Sequence, residues 1–221
     1  MYGALSMSET DVSVVGKYRG QSLGDRVDDR RKKLLEAAFV LLGEQGSAAV
    51  TMRAVIRDAQ LSPRYFYESF PDRADLLVAV FDVALQQLQE RVTAAMAEAS
   101  TDPVMQTRAA FSAVASVFEH DPRIARIMRR EALAEAAWRD HAYAALSLFI
   151  STTSLNLLDE SWYRQTDPVM LRLDISALAG TSLSVFLDWT EGRLDITQQQ
   201  LVDYLTDTVD GMVRRRLNST R

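Results

Sequence analysis

The segment from residue 51 to 77 constrains this chain most, because it encodes two short helices separated by a tight turn. Thr51 is a suitable N-cap for the first helix, since its hydroxyl can accept a hydrogen bond from a backbone N–H one turn later. Val55, Ile56 and Ala59 then fall on one face at helical spacing. This helix is predicted to end near Gln60.

The second short helix is predicted to begin at Ser62, which favours an N-cap, with Pro63 at the first helical position, where a missing N–H costs nothing. Phe66 and Phe70 are expected to point inward. The side chains predicted to project from this two-turn helix are Arg64, Tyr65 and Tyr67. Guanidinium and phenol groups suit phosphates and base edges, so this face favours nucleic-acid binding.

A longer helix precedes the pair, from about Val27 to Gln45, and Gly46 is expected to end it as a left-handed C-cap. Its inward side recurs at helical spacing and comprises Leu34, Leu35, Ala38, Phe39 and Leu42. Three helices around one small core are therefore predicted.

These residues resemble the TetR family of transcriptional regulators. The resemblance is carried by Arg31-Lys32-Lys33-Leu34-Leu35-Glu36-Ala37-Ala38-Phe39, Gly46, Thr51-Met52-Arg53, Leu61-Ser62, Tyr67-Glu68-Ser69-Phe70-Pro71-Asp72-Arg73 and Leu76-Leu77. It covers about residues 27 to 80, roughly a quarter of the chain. Ser69 departs from the His that is usual there, and Arg64-Tyr65 are bulkier than the common small pair.

The resemblance implies that Thr51 and Tyr67 contact phosphates and that Arg73 stands where the family usually has a phosphate-contacting Lys. It also implies that Arg53 occupies a position from which some members reach a base. The recognition-helix candidates for base and sugar-phosphate contacts are Ser62, Pro63, Arg64 and Tyr65. Each residue has a simpler alternative: Thr51 as a helix cap only, Tyr67 as packing beside Phe70, and the arginines as ordinary surface charge.

Charge is distributed in a way that permits DNA binding despite a net charge of −5. Residues 24–75 carry nine basic and nine acidic side chains, so this segment is neutral and the remainder carries the deficit. Because residues 24–75, called the headpiece below, carry no net charge, we expect them to bind DNA of any sequence only modestly. Dimerisation would then be needed to raise the affinity for DNA.

Composition excludes several other classes. The absence of cysteine excludes disulfides and thiolate chemistry, and two histidines make a metal site improbable. Without an evident apolar run of about 20 residues or a leader pattern, we expect a soluble cytoplasmic protein with no membrane contact and no cofactor. Residues 1–23 are expected to form a flexible arm, from which Arg19 could reach a minor groove or simply remain solvated.

The rest of the chain is predicted to be helical, with Asp-Pro signals starting helices at 102–103, 121–122 and 167–168 and Thr197 capping the last one. The two C-terminal helices are amphipathic and suit a four-helix bundle with a second chain, or alternatively an intramolecular core. The expected fold is all-α, with a helix-turn-helix DNA-binding domain (24–73) followed by an effector-binding and dimerisation domain (74–221).

The resemblance further implies a small-molecule effector enclosed by the middle helices. The candidate lining residues are Phe111, Phe118, Met128, Trp138, His141, Tyr143 and Phe149. Such a lining suits an apolar or aromatic effector, although a stripe of this kind is also typical of plain core.

The resulting interpretation is a homodimeric, ligand-responsive regulator that binds a palindromic or near-palindromic DNA operator and is most often a repressor in the resembled family. An activator or a co-repressor-dependent regulator is the alternative. A helical enzyme is a remote rival that would use Glu131, Glu135, Asp140 and His141, but nucleotide, nucleophile and metal motifs are missing. A protein-interaction module built on the same helix-turn-helix is a third reading.

Overall fold

The computed structural model describes residues 23–128, 136–157 and 167–219, and within these ranges it contains helices and short connections but no strand. In chain order the helices are α1 (Leu23–Gln45), α2 (Met52–Asp58), α3 (Pro63–Ser69), α4 (Arg73–Glu98), α5 (Pro103–His120), α6 (Pro122–Arg126), α7 (Ala136–Leu157), α8 (Pro168–Thr190) and α9 (Gln198–Ser219). A single 3-10 turn, Ser47–Ala49, lies between α1 and α2. The all-α prediction is confirmed, whereas the expected arm with Arg19 lies outside the described residues.

Helix starts follow the caps predicted from the sequence. The carboxylates of Asp102, Asp121 and Asp167 each accept a hydrogen bond from backbone N–H groups of the helix that follows, and proline occupies the first turn each time. Thr197 and Gln200 cap α9 reciprocally: the Gln200 N–H donates to Thr197 Oγ1 at 3.2 Å and the Thr197 N–H donates to Gln200 Oε1 at 2.9 Å. These caps confirm the predicted starts of α5, α6, α8 and α9.

Two connections use backbone conformations with positive φ. Gly46 has φ 87° and ψ 174°, so it ends α1 outside the left-handed helical region and corrects the predicted left-handed cap. Gln60, which is not glycine, adopts φ 56° in the turn between α2 and α3. The turn of the helix-turn-helix is therefore held by its surroundings, because a side chain disfavours this conformation.

The core of the N-terminal unit is built where α1, α2 and α3 meet. Its fully buried side chains include Leu34, Leu42, Val55, Phe66 and Phe70. Leu76 and Leu77 of α4 belong to the same apolar cluster. The first turns of α4, the helix that leads into the larger unit, therefore pack in the core of the N-terminal unit. The inward role predicted for Phe66 and Phe70 is confirmed.

Helix α6 closes against the C-terminal end of α1. A Cβ atom placed on Gly43 would lie 2.5 Å from the Cβ of Arg123, so only glycine permits this approach. Arg126 Nη1 donates to the carbonyl oxygens of Gly43 at 2.5 Å and Glu44 at 3.1 Å. These donors satisfy carbonyls that the end of α1 leaves without intrahelical partners.

Helix α8 bears on the expectation that the chain makes no membrane contact. By length and composition alone it is apolar enough to cross a membrane, and 6% of its most apolar stretch is buried within the chain. Arg172 and Asp174 lie in this helix, so its apolar residues do not form an uninterrupted run. Val169, Met170 and Leu173 are exposed on its first turns.

Candidate nucleic-acid interface and effector cavity

Thr51 begins the exposed face of the headpiece. Its Oγ1 accepts a hydrogen bond of 3.2 Å from the backbone N–H of Ala54, which caps α2. A hydroxyl also carries a hydrogen that it can donate, so the cap leaves Thr51 able to donate to a phosphate oxygen. Capping and DNA contact are compatible at this residue.

Tyr67 projects from α3 with 60% of its surface exposed. Its ring packs edge-on against Phe66, with centroids 5.6 Å apart, so the ring is held while the phenol end faces outward. One edge of the ring is thus packing, as the simpler alternative proposed, and the exposed end remains available to a ligand.

Arg64 is also exposed, and its Nε donates to Glu68 Oε1 at 2.7 Å one turn later on α3. This hydrogen bond raises the pKa of the guanidinium above its ordinary value, with a further contribution from the charge of Glu68. Glu68 also lies 4.0 Å from Arg30 Nη2 on α1. An acidic side chain therefore sits between two of the cations on this surface.

Tyr65 is half-buried rather than fully projecting, because the guanidinium of Arg30 lies 4.4 Å from the centre of its ring. Arg31 makes a similar contact with the other end of α3. Its guanidinium lies 4.2 Å from the Phe70 ring centre, and its Nη1 donates to Ser69 O at 2.6 Å. The basic stretch of α1 thus fixes both ends of the recognition helix. This role was not predicted from the sequence.

Arg73, predicted to contact phosphate, is half-buried and faces the chain before α2. Its Nε donates to Val50 O at 2.8 Å and its Nη2 donates to Ser47 O at 2.6 Å. These bonds position the loop that carries Thr51. A direct phosphate contact by Arg73 stays a prediction.

The remaining predicted contacts are exposed on the same two helices. Arg53 lies on α2, and Ser62 and Pro63 lie at the start of α3. Ser62 occupies the N-cap position as predicted, but its side chain makes no capping hydrogen bond. Exposure leaves all three accessible to a nucleic acid, although no contact is established for them.

A partly open cavity of about 220 Å³ lies between α4, α5, α7, α8 and α9 of the larger unit. Its walls are almost wholly apolar. Of the effector candidates, Phe111, Phe118, Met128 and Phe149 line it. Phe111 and Phe118 surround Phe186, with ring centroids at 6.2 and 5.6 Å from it.

Three other effector candidates do not line this cavity. Trp138 is fully buried against Phe81, with ring centroids 6.0 Å apart. His141 Nε2 lies 2.6 Å from Asp82 Oδ1 on α4, and Tyr143 is 66% exposed. These side chains leave α7 on sides other than the one that faces the cavity.

The residues named for a helical enzyme are not assembled by the described part of the chain. Asp140 is exposed on α7 and His141 pairs with Asp82, while Glu131 and Glu135 lie outside the described residues. No group of three His, Asp or Glu in residues 23–128, 136–157 and 167–219 is placed to hold a metal ion.

Asp174, Asp210 and Ser182 also line the cavity and were not predicted from the sequence. The Oγ of Ser182 is enclosed and has no hydrogen-bond partner among the described residues. A signal was available for Asp174, because it is an acidic residue inside an otherwise apolar helix. Asp210 follows Val209 in an ordinary amphipathic pattern, so only the packing reveals it.

Comparisons with known proteins agree with this geometry. A family model described as "Bacterial regulatory proteins, tetR family" matches residues 34–80. The HTH-type transcriptional regulator BetI of Rhizobium meliloti (strain 1021) is 39% identical over 72 residues, which are 33% of this chain and 36% of that protein. The HTH-type transcriptional repressor KstR of Rhodococcus jostii (strain RHA1) is 26% identical over 102 residues, 46% of this chain and 47% of that protein.

Solved structures share the fold over most of the chain. The fatty acid degradation regulator FadR of Bacillus halodurans superposes with a TM-score of 0.66 at 16% identity, covering 83% of this chain and 94% of that one. A putative transcriptional regulator of Pseudomonas aeruginosa PAO1 gives a TM-score of 0.66 at 18% identity, covering 88% and 95%. In sequence, the chain spans about a third to a half of the length of the curated relatives that it matches.

The fold and the exposed face of α2 and α3 define a helical protein with an N-terminal helix-turn-helix DNA-binding domain. Residues 34–80 of the chain are similar to the tetR family of bacterial regulatory proteins.

Proposed function

We propose that this chain is a cytoplasmic, homodimeric transcriptional repressor that binds a palindromic or near-palindromic operator and releases it when a small apolar molecule binds. The observation that carries the DNA-binding part is the exposed face of the helix-turn-helix. There Thr51 and Tyr67 offer hydroxyl groups, and Arg53 and Arg64 offer guanidinium groups. The repressor and regulator relatives support the same role.

The outer side of α8 supports a homodimer formed by α8 and α9. Val169, Met170 and Leu173 are exposed there, and a Cβ on Gly180 would meet no atom within 4 Å. An exposed apolar helix with a small residue in its middle suits close packing against a second copy. The same helix lines the cavity on its other side, which explains its apolar composition without a membrane.

The cavity supports a ligand-responsive regulator. Its position between α4, α5, α7, α8 and α9 and its apolar walls are typical of small-molecule sites. Met128, two residues beyond α6, lines the cavity, and Arg126, the last residue of α6, holds the end of α1. A ligand that binds better to one position of α6 would shift the equilibrium between headpiece positions, which is how binding at one site alters affinity at another.

The test is selection of random duplex DNA by the purified full chain, followed by binding of the enriched site at two salt concentrations. A two-fold symmetric site with half-sites about one DNA turn, ~34 to 36 Å, apart or somewhat further is the expected result. Affinity should fall steeply with salt, because cations on the protein displace counterions from phosphates. A folded chain that enriches no site would overturn the DNA-binding proposal.

The same selected site separates a repressor from the alternatives. Loss of binding when an effector is added supports release, whereas a gain in binding supports a co-repressor-dependent regulator. A protein-interaction module built on the same helix-turn-helix predicts that no DNA is bound, so loss of DNA binding in the double variant Tyr67→Phe with Arg73→Ala would argue against it.

A further inference from the structure

The carboxylate of Glu68 lies between two arginines on the exposed side of α3. Its Oε1 accepts a hydrogen bond of 2.7 Å from Arg64 Nε, and its Oε2 lies 4.0 Å from Nη2 of Arg30 on α1. The exposed fractions of the three side chains are graded, at 25% for Arg30, 35% for Glu68 and 83% for Arg64. The carboxylate is therefore held from the protein side, and it holds the outermost arginine in turn.

Arg30 has a fixed position of its own. Its guanidinium lies 4.4 Å from the ring centre of Tyr65, which is half-buried. A cation over an aromatic face and beside a carboxylate is attracted by both groups. An isolated exposed ion pair on one helix is weak, but the pair of Arg64 and Glu68 belongs to a network that joins α1 to α3. The direction of Arg64 is thus set by two helices.

The hydrogen bond to Glu68 uses the Nε of Arg64. A guanidinium has five N–H donors, and the four on its two Nη atoms lie at the outer end of the side chain, beyond Nε. Two parallel N–H groups of an arginine match the O6 and N7 acceptors of guanine in the major groove. The bond to Glu68 therefore leaves available the donors that bind a guanine edge.

The place of Arg64 in the fold favours a base over a phosphate. Arg64 is the second residue of α3, which is the second helix of the helix-turn-helix. In such motifs the first residues of this helix contact base edges in the major groove. A carboxylate beside the guanidinium also repels the charged oxygens of a phosphate, whereas a base edge carries no net charge. Both features indicate readout of sequence.

We propose that Arg64 reads a guanine in each half-site of the operator and that Glu68 is a positioning residue, which holds Arg64 in the direction this contact requires. This inference rests on the proposed function and adds to it the base that is read and the residue that orients its reader. An unrestrained arginine must lose rotamer freedom to bind the guanine, but it keeps that freedom at another base pair. Glu68 therefore raises the preference for guanine and not the affinity for every sequence.

The experiment starts from the duplex that the wild-type chain selects. Each G·C pair of a half-site is replaced in turn by A·T, and fluorescence anisotropy gives the ratio of the two affinities, called the guanine ratio. At one G·C pair the guanine ratio should be roughly 5- to 150-fold, the range for a bidentate contact of arginine with guanine. Arg64→Ala should abolish the ratio at that pair and leave it unchanged at the others.

Glu68→Ala should lower the guanine ratio at the same pair roughly 2- to 10-fold, which corresponds to ordering one long side chain. Glu68→Gln should lower it less, because a neutral oxygen still accepts from Arg64 Nε, though more weakly. Asp58→Ala is the matched control. Its carboxylate accepts a hydrogen bond of 2.7 Å from Nε of the exposed Arg57 on α2, and its loss should not change the ratio. Thermal denaturation checks that each variant is folded.

A double variant separates positioning from direct contact, because a glutamate can itself accept a hydrogen bond from cytosine N4. In the Arg64→Ala background, replacing Glu68 should alter no base preference, since its effect passes through Arg64. An effect of Glu68 that persists without Arg64 overturns the proposal, as does a wild-type guanine ratio in Glu68→Ala or an operator in which no G·C pair depends on Arg64. These outcomes leave the DNA-binding function standing, whereas a folded wild-type chain that selects no duplex overturns both.

Discussion

The guanidinium of Arg126 donates a hydrogen bond of 2.5 Å to the carbonyl oxygen of Gly43, across 83 positions of sequence. It joins the end of α6, beside the cavity, to the end of α1, which carries the headpiece. Arg123 packs against the same glycine, and its guanidinium lies 5.3 Å from the ring centre of Phe39. A movement of α6 would thus be passed to α1 through direct contacts as well as through α4.

Replacing Arg126 with Ala should loosen that connection. We expect a loss of roughly 1 kcal/mol in the free energy of unfolding, because two charge-assisted hydrogen bonds at a partly exposed site disappear. Amide exchange at residues 42–46 should accelerate, measured by hydrogen exchange with mass spectrometry. Unchanged exchange at the end of α1 would show that this contact does not hold the two units together.

Tyr67→Phe should weaken operator binding and leave stability unchanged. The ring contact with Phe66 survives the substitution, and only an outward-facing hydroxyl is lost. Loss of one hydrogen bond to phosphate should reduce affinity roughly 5- to 30-fold per half-site, measured by fluorescence anisotropy with labelled operator. Wild-type affinity in this variant would mean that Tyr67 serves packing alone.

Substitutions of Arg73 distinguish a role in stabilising the fold from a role in contacting DNA phosphate. Arg73→Ala should lower the free energy of unfolding by roughly 1.5 to 3 kcal/mol, because it removes charged donors to Val50 O and Ser47 O. Arg73→Lys should recover only part of the loss, since one ammonium cannot reproduce the guanidinium fork. Urea denaturation of both variants measures the effect. If stability is unchanged and only DNA binding falls, a phosphate contact is the dominant role.

Glu68→Gln should strengthen non-specific DNA binding and steepen its salt dependence. The substitution removes the negative charge that pairs with Arg64 at 2.7 Å and lies 4.0 Å from Arg30. Both guanidinium groups then act on phosphates without an internal competitor. Titration of random-sequence duplex at several salt concentrations checks this, with Glu36→Gln on α1 as a control, whose Lys32 pair lies 3.9 Å away and is well exposed. Equal slopes in both variants would contradict a specific role for Glu68.

Gly180 tests the proposed dimer. A Cβ there meets nothing within 4 Å in the single chain, so Gly180→Leu should fold but dissociate the dimer, measured by sedimentation equilibrium. Gly180→Ala is the matched control and should stabilise the helix by about 1 kcal/mol or less if the partner leaves room for a methyl group. A Leu variant that remains dimeric would place the interface elsewhere.

The features that the sequence alone predicted are local ones. Asp102, Asp121 and Asp167 could be assigned as caps because a cap and the N–H groups it satisfies lie within three residues of each other. The inward face of the first three helices followed from helical spacing, which recurs within a single element. The helix-turn-helix could be predicted because helix caps and helical spacing of apolar residues both occur within one short segment.

The cavity lining was only partly predictable, as α7 shows. Phe149 lines the cavity, whereas Trp138 packs on Phe81 and Tyr143 faces outward from the same helix. Apolar side chains occur on several sides of α7, so periodicity could not tell which side faces the cavity. The rotation of a helix about its axis is set by its neighbours, and those are brought together only by the tertiary fold.

Sequence by itself thus determined that this protein is helical, where most of its helices start and which short segment forms the DNA-binding motif, because these properties depend on interactions within a few residues. Tertiary structure alone decided that Arg73 and Arg126 bind backbone carbonyls 23 and 83 positions away and that Asp174 and Asp210 share one cavity. Such contacts depend on how distant helices pack, and their geometry is not encoded in any local pattern.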